Sequence, residues 1–198
     1  MEPITLTTAR LRLRPFTPDD AGVVYEVCQD PAVQRWTAVP APYTREDAEL
    51  FVTRLAPEGW RLDGEYAFAV EPLTGGPLIA AAGLHACSPG IREVGYWLAP
   101  EHRGRGYMTE AVGALAHWAF TGLGVHRLLW RAEVGNIASR AVAERAGFTV
   151  EGVERAGILK DGTARDSWLG SLLPADVGLP SPLPYLPAPV PPRTSTVS

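Results

Sequence analysis

Cysteine is scarce in this sequence, with only Cys28 and Cys87, and these lie far apart in the chain. No Cys-x-x-Cys pair is present, which argues against a zinc or dithiol redox site of that spacing and against a disulfide framework. We expect both thiols to be reduced and partly buried. The four histidines show no His-x-x-x-His or His-Glu-x-x-His spacing, so we expect no bound metal.

Long apolar stretches are also missing. The longest covers about seven residues, from Leu78 to Leu84, whereas a membrane-spanning helix needs roughly 20. The first residues, MEPITLTTARLRLRPF, lack a basic start followed by an apolar block and a small-residue cleavage site, so they do not indicate a signal peptide. We therefore expect a cytoplasmic protein that does not associate with membranes.

Positive charge is not in excess. Lys and Arg number 18 against 22 Asp and Glu, and the net charge of −4 argues against nucleic acid as a partner. Hydrophobic residues make up 46% and charged residues 20% of the chain, which is ordinary globular usage and excludes a disordered chain, a coiled coil or a collagen-like repeat. The length of 198 residues fits one domain.

Proline, by contrast, is abundant and unevenly placed. Of 19 prolines, 8 fall in the segment 174–192, PADVGLPSPLPYLPAPVPP, which has no apolar period. This composition is typical of an extended, polyproline-like chain. We predict a folded domain over residues 1–173 and a proline-rich, disordered tail over residues 174–198.

Strand and helix patterns alternate within residues 1–173. RLRLR at 10–14 alternates in polarity like a half-buried strand. Thr17 and Thr44 each precede an acidic residue three positions later, a helix-capping signature, so we predict helices from Thr17 to about Asp30 and from Thr44 to near Pro57. Further strands are predicted at 66–71, 78–84, 91–99, 127–133, 148–154 and 165–172, and further helices at 107–122 and 137–146, with a loop at 31–43. The order β-α-α-β-β-β-α-β-α-β-β indicates an α/β fold with a mixed sheet.

The segment Arg103-Gly104-Arg105-Gly106-Tyr107 lies where a predicted strand ends and a long helix begins. Backbone N–H groups freed by glycines, together with the positive helix end and two arginines, favour a phosphate or pyrophosphate. No Gly-x-x-x-x-Gly-Lys-Ser/Thr motif is present, and a dinucleotide Gly-x-Gly-x-x-Gly motif would need glycine where Thr109 stands. Nucleotide hydrolysis and NAD binding therefore have no support. The alternative is a surface turn with exposed arginines.

From about Thr7 to Leu173 the chain resembles the GNAT N-acetyltransferase superfamily, specifically its RimJ/RimL-like branch of ribosomal-protein N-terminal acetyltransferases. EVGYWLAPEHRGRGYMTEA (93–111) is similar to the acetyl-CoA signature Q/R-x-x-G-x-G/A, although Met108 replaces the last small residue. NIASRAVAERAGF (136–148) is similar to a second segment of the branch. The resemblance implies a mixed, mostly antiparallel sheet flanked by helices, with a splayed central strand pair that takes acetyl-CoA.

The resemblance also implies where acetyl-CoA binds. The pantetheine arm would pair with the strand end at 97–99 and with Asn136, and the diphosphate would reach the amides of 103–109. Asn136 is equally suited to cap a helix. The expected cofactor-binding residues are Trp97, Leu98, Ala99, Arg103, Gly104, Arg105, Gly106, Tyr107, Met108, Thr109 and Asn136.

Direct acetyl transfer to an amine needs a base and benefits from an acid near the leaving thiolate. Ser139 matches the serine that the branch places near the sulfur, and the alternative is a solvent-facing helix serine. Glu93 is the first choice for the base, with His85 or a water chain as alternatives. A surface ion pair with Arg92 or another cation is an equally open interpretation of Glu93. No acyl-enzyme is expected, since neither cysteine has a neighbouring histidine and no Gly-x-Ser-x-Gly elbow is present.

The acceptor groove of this family is flanked by the segments that correspond to 31–43 and 160–166. We expect a primary amine as acceptor, either a protein N-terminus or a small molecule, and the chain to act as a monomer or homodimer. A CoA-binding sensor or scaffold without catalysis is the alternative. Candidate lining residues are Trp36, Tyr43 and Trp60, and candidate carboxylates for a cationic amine are Asp166 and Glu65.

Overall fold

The α/β fold expected from the sequence is confirmed by the computed structural model, which describes residues 1–188. The strands are β1 (Leu6–Thr7), β2 (Leu11–Arg14), β3 (Glu65–Pro72), β4 (Ala80–Ser88), β5 (Ile91–Leu98), β6 (Arg127–Glu133), β7 (Thr149–Lys160) and β8 (Thr163–Leu172). They form a sheet in the order β1-β2-β3-β4-β5-β6-β8-β7. Neighbouring strands are antiparallel, except that β5 and β6 run parallel.

The hairpin of β7 and β8 is longer than predicted. Its strands pair up to Lys160 and Thr163, where Asp161 and Gly162 adopt φ values of 50° and 71°. Two successive positive φ values suit the tight hairpin turns that match the twist of a sheet. The predicted strands stopped short because much of β7 is exposed and does not alternate in polarity.

The helices are α1 (Ala21–Val27), α2 (Pro31–Trp36), α3 (Arg45–Leu50), α4 (Ala56–Arg61), α5 (Tyr107–Gly122) and α6 (Ile137–Arg145). The prediction of a loop over the whole segment 31–43 is therefore wrong, because this segment contains α2. The start of α2 is fixed by Asp30, whose carboxylate accepts a hydrogen bond from the Val33 amide at 2.9 Å, and by Pro31 at the first helical position. Both signals were present in the sequence.

The helix predicted from Thr44 continues beyond Pro57. A π-helical turn, Phe51–Leu55, joins α3 to α4, and the amide of Ala56 donates to the carbonyl of Phe51. Proline has no N–H to donate and its ring clashes with the preceding turn of an α-helix. The π turn directly before Pro57 lets the helix pass this residue without ending.

Helices cover both faces of the sheet. On one side, which we call the α5 face, α5 and α6 bury residues such as Leu115 and Ala143 in a core that also contains Phe68. On the other, the α1 face, residues such as Val24 and Val33 from α1 and α2 pack against small strand residues. Successive side chains along each strand therefore point alternately to the α5 face and to the α1 face.

The last strand leads into a short 3-10 turn, Pro174–Val177, in which Pro174 is buried. Leu179 packs partly against the core of the α5 face. The division at residue 173 stays a prediction, and residues 189–198 of the predicted tail lie outside the described part. None of the helices in residues 1–188 is long and apolar enough to cross a membrane.

Candidate active site

The parallel strands β5 and β6 separate part-way along their length. Their register pairs stop at Glu93 and Leu129, although β5 continues to Leu98 and β6 to Glu133. Beyond that point β5 is held by β4 on its other side, and β6 by β8. A gap with backbone polar groups on both sides therefore opens in the middle of the sheet, and an extended chain of amides can pair with these groups.

Two of the expected pantetheine contacts lie on the unpaired part of β5. Trp97 and Leu98 are half-buried there. Ala99 is 1% exposed, and its amide donates to the carbonyl of Ile79 at 2.9 Å. Its side chain belongs to the core of the α1 face, and its carbonyl accepts from the His102 amide at 3.0 Å, so both backbone groups of Ala99 already have protein partners.

The loop after β5 presents a row of free amides. Within residues 1–188, the N–H groups of residues 104–109 make no hydrogen bond to any protein group. Gly104 and Gly106 adopt φ values of 74° and 76°, a conformation that other residues rarely adopt. The Met108 side chain is 3% exposed and packs in the core, so only its amide faces outward. The loop and the start of α5 together form an anion site that suits a diphosphate.

Charged side chains hold this loop in place. The Arg103 guanidinium binds the Asp30 carboxylate at 2.7 Å and the Leu98 carbonyl at 3.2 Å. Arg10 donates to the carbonyl of Arg105 at 3.0 Å and binds Glu110 at 2.6 Å. The Arg105 side chain is exposed. The loop thus carries positive charge, part of which is already neutralised by Asp30.

A polar cluster bridges the gap on the α5 face. The Ser139 hydroxyl at the start of α6 accepts a hydrogen bond from Trp130 Nε1 at 3.0 Å and lies 3.0 Å from the Tyr96 hydroxyl. The Tyr96 hydroxyl is also within hydrogen-bond distance of the Ser139 carbonyl, at 3.0 Å. Asn136 caps α6, because its side-chain oxygen accepts from the Ser139 amide at 3.1 Å. The solvent-facing interpretation of Ser139 is wrong, since its hydroxyl points to the gap.

Titratable groups line the α1 face beside the same gap. Glu93 forms an ion pair with Arg131 at 3.2 Å, and Arg131 also contacts Glu154 at 3.2 Å. His85 lies opposite Glu93 in the sheet, with Nδ1 3.6 Å from the Glu65 carboxylate. The cation beside Glu93 is thus Arg131 on β6 and not the neighbouring Arg92. Glu93 therefore stands beside the gap, and His85 lies one strand away from it.

The segment 31–43 contacts the end of β6 and the tip of the β7–β8 hairpin. Arg35 of α2 binds Glu133 at the end of β6 with two hydrogen bonds of 2.6 and 2.5 Å. Lys160 at the hairpin tip donates to the Thr37 carbonyl at 2.6 Å. Hydrogen bonds from Arg35, opposed by burial, hold the pKa of Glu133 below its ordinary value. Trp36 is half-buried beside Gly135.

Two of the expected lining residues are placed elsewhere. Trp60 is 2% exposed, with its Nε1 bound to the Ala67 carbonyl at 3.0 Å, and Tyr43 is 6% exposed in the core of the α1 face. Their predicted place in the groove is wrong, because the burial of large apolar rings prevails. Asp166 accepts from the amide of Ala156 at 2.9 Å and stabilises an irregularity in β7.

Neither cysteine is placed as a nucleophile. Cys28 is fully buried, and burial raises the pKa of its thiol to about 12. Cys87 is exposed, contrary to the prediction, and burial raises the pKa of its thiol as well. No group of three or more His, Cys, Asp or Glu side chains within residues 1–188 is arranged to hold a metal ion.

The sequence matches the family model of the acetyltransferase (GNAT) domain over residues 10–149. The chain belongs to the GNAT acetyltransferase family. YdaF of Bacillus subtilis (strain 168) is 44% identical to it over 81 residues, 41% of this chain and 44% of YdaF. The ribosomal-protein-serine acetyltransferase of Escherichia coli (strain K12) is 37% identical over 70 residues, 35% of this chain and 39% of the relative. Each alignment thus covers less than half of the relative's length.

A solved structure shares the GNAT fold over most of the chain. Mycobacterium smegmatis RimJ in complex with CoA-disulfide superimposes with a TM-score of 0.79 at 21% identity, covering 90% of this chain and 92% of RimJ. The predicted fold, with its splayed central strand pair, is therefore confirmed.

Sequence reasoning missed two members of this GNAT site, Tyr96 and Trp130. Tyr96 stands within the segment 93–111 that resembles the acetyl-CoA signature, but its contact with Ser139 joins residues 43 positions apart. Trp130 lies within the predicted strand 127–133, and nothing in its spacing indicates that its N–H reaches Ser139.

Proposed function

We propose that this GNAT domain transfers an acetyl group from acetyl-CoA to a primary amine, and that the amine is the α-amino group of a protein. The observation that carries this proposal is the open gap between β5 and β6, together with the six amides at 104–109 that have no hydrogen-bond partner within residues 1–188. A pantetheine arm and a diphosphate need this pair of features side by side. The E. coli relative, named a ribosomal-protein-serine acetyltransferase, supports a protein acceptor.

Bound acetyl-CoA would supply the thioester. The free amides of 104–109 hold its diphosphate, and Arg103 and Arg105 add positive charge. Trp97 and Leu98 offer backbone groups to the pantetheine arm. Asn136 uses its side-chain oxygen for the cap, which leaves its amide N–H groups for that arm.

The chain's own groups then handle the protons. The acceptor nitrogen must lose a proton before it attacks, and Glu93 is the proposed base. Its Oε2 faces Arg131, whereas Oε1 has no hydrogen-bond partner among the residues described. His85 and a water chain remain the alternatives. Ser139 donates a hydrogen bond to the sulfur as the carbon–sulfur bond breaks. The pKa values of both thiols are raised, so neither cysteine supports an acyl-enzyme.

The test is release of free thiol from acetyl-CoA in the presence of short peptides with free N-termini. Matched peptides with a blocked N-terminus and an internal lysine are the control. We expect turnover with free N-termini alone. Turnover with polyamines or aminoglycosides and none with peptides would replace the protein acceptor by a small molecule. CoA binding with no turnover on any amine would favour the alternative function, a CoA-binding sensor or scaffold without catalysis.

The choice of base is tested by the same assay on two variants. Glu93→Gln should lower kcat at every pH, whereas His85→Gln should leave the pH profile unchanged. The reverse result would assign the base to His85. The cytoplasmic location and the monomeric or dimeric state stay predictions.

A further inference from the structure

Trp130 is held in one orientation by its surroundings. It is 1% exposed, and it lies opposite Gly170 on β8. A Cβ atom at Gly170 would stand 3.1 Å from Cε3 of the indole ring, so the missing side chain makes room for the ring. In this position Nε1 is 3.0 Å from Ser139 Oγ. The packing of Trp130 in the sheet therefore places its indole N–H within hydrogen-bond distance of the Ser139 hydroxyl.

The hydrogen atoms of this cluster follow from the chemistry of the donors. An indole N–H can only donate, so Ser139 Oγ accepts from Trp130 and its own hydrogen must point elsewhere. The Tyr96 hydroxyl is 3.0 Å from both the carbonyl and the Oγ of Ser139. When Tyr96 donates to the carbonyl, Ser139 donates to Tyr96. When Tyr96 donates to Oγ, the Ser139 hydrogen is left for a group in the gap.

In the second arrangement Oγ accepts two hydrogen bonds, which polarise its O–H bond. Tyr96 stays protonated throughout, because burial raises its pKa to about 12, whereas a thiol ordinarily titrates near 8.5. A proton would not pass from Tyr96 through Ser139 to a thiolate. Tyr96 therefore donates its hydrogen to Ser139 Oγ, and Ser139 donates its own hydrogen to the sulfur that leaves as an anion.

We propose that Trp130, together with Tyr96, is a positioning residue that directs the Ser139 hydroxyl hydrogen toward the thiolate sulfur of CoA. This inference rests on the proposed function. The amine nitrogen forms a bond to the carbonyl carbon, the carbon–sulfur bond breaks, and its electron pair stays on sulfur. The proton of the amine goes to the base, and the Ser139 hydrogen stays on its oxygen.

The experiment titrates the thiol of CoA bound to the protein, which needs neither an acceptor nor turnover. Thiolate absorbance is followed against pH, with acetyl-CoA, which has no thiol, as the blank. In the parent protein we expect the thiol of bound CoA to titrate about one to two pKa units below that of free CoA, the size expected for a hydrogen bond to a charged group. Ser139→Ala should abolish this difference, and Trp130→Phe should remove about half of it.

Trp60→Phe is the matched control. Like Trp130, Trp60 is buried, with 2% of its surface exposed. Its Nε1 also makes one hydrogen bond of 3.0 Å, but the acceptor is the Ala67 carbonyl, which lies outside the site. The same substitution there should leave the thiol titration as in the parent. Equal effects of Trp130→Phe and Trp60→Phe would show general loosening of the core and would overturn the assignment.

Tyr96→Phe provides a second variant if Trp130→Phe does not fold. It should also raise the pKa of the bound thiol, and a titration identical to the parent would overturn the proposal. An unshifted thiol in a parent protein that turns over would overturn this inference and leave the proposed function intact. No CoA binding by the parent would overturn both.

Discussion

Charge at Gly104 provides the sharpest test of the diphosphate site. Gly104 has a φ of 74°, and a Cβ atom there would meet nothing within 4 Å. Asn and Asp tolerate this conformation better than other residues with side chains, and they have nearly the same shape. Gly104→Asn therefore measures the backbone cost, about 1 kcal/mol in the free energy of unfolding. Gly104→Asp adds one negative charge at the same place.

The expected difference follows from electrostatics. At about 6 Å and an effective dielectric constant of about 40, one unit charge repels another by about 1.4 kcal/mol, which is tenfold in affinity. Against the roughly two charges of a diphosphate, Gly104→Asp should bind CoA about 100-fold more weakly than Gly104→Asn. Because residue 104 is exposed, added salt should shrink this difference.

Isothermal titration calorimetry with CoA, at low and high salt, gives the two dissociation constants. Urea unfolding of both variants shows whether they are folded to the same extent. Equal affinities of the Asp and Asn variants at low salt would refute the placement of the diphosphate on this loop. So would a difference that does not respond to salt.

Three further outcomes are expected. Asp30→Asn keeps the oxygen that caps α2 but weakens the ion pair with Arg103 at 2.7 Å, so calorimetry should show CoA binding a few-fold tighter; weaker binding would contradict this. Burial opposes ionisation of Asp20, but hydrogen bonds from Arg14 outweigh it and hold the pKa of Asp20 below its ordinary value near 3.8. This stabilisation is present above that value and is lost as the pH falls through the lowered pKa, so Asp20→Asn should cost about 3 kcal/mol at pH 7 and flatten acid unfolding. Phe68→Ala, at 0% exposed, should cost about 3–5 kcal/mol in urea unfolding, and a loss below 1 kcal/mol would show that the core is misplaced.

Local signals predicted much of the fold. The capping residues Thr17 and Thr44 marked helix starts, and the Thr44 hydroxyl accepts from the Asp47 amide as the pattern indicates. Asp30 carries the same kind of signal for α2, although the loop predicted at 31–43 does not include this helix. Helix starts depend on a few adjacent residues, so they can be predicted from the sequence. The extent of an exposed strand such as β7 depends on its pairing with β8, which no local pattern shows.

The candidate site likewise has a part that depends on adjacent residues and a part that depends on contacts between distant residues. The anion loop rests on glycines and a helix start within one short segment, so its residues could be proposed directly. The groove wall could not, because the contact between Arg35 and Glu133 joins residues 98 positions apart. Trp60 was wrongly placed since an aromatic ring in a sequence looks the same whether it lines a groove or fills a core.

The early end of the pairing between β5 and β6 has a consequence for the behaviour of the chain before it meets its ligand. Each strand then has an unpaired edge in the interior of the sheet, where an extended segment of another molecule can add. These edges favour strand addition and aggregation, so CoA should act as a folding partner that raises the thermal midpoint and suppresses association. Among the residues of β5 beyond Glu93 and of β6 beyond Leu129, the amides that point into the gap should exchange with solvent faster than the amides that pair with β4 or β8, until CoA binds.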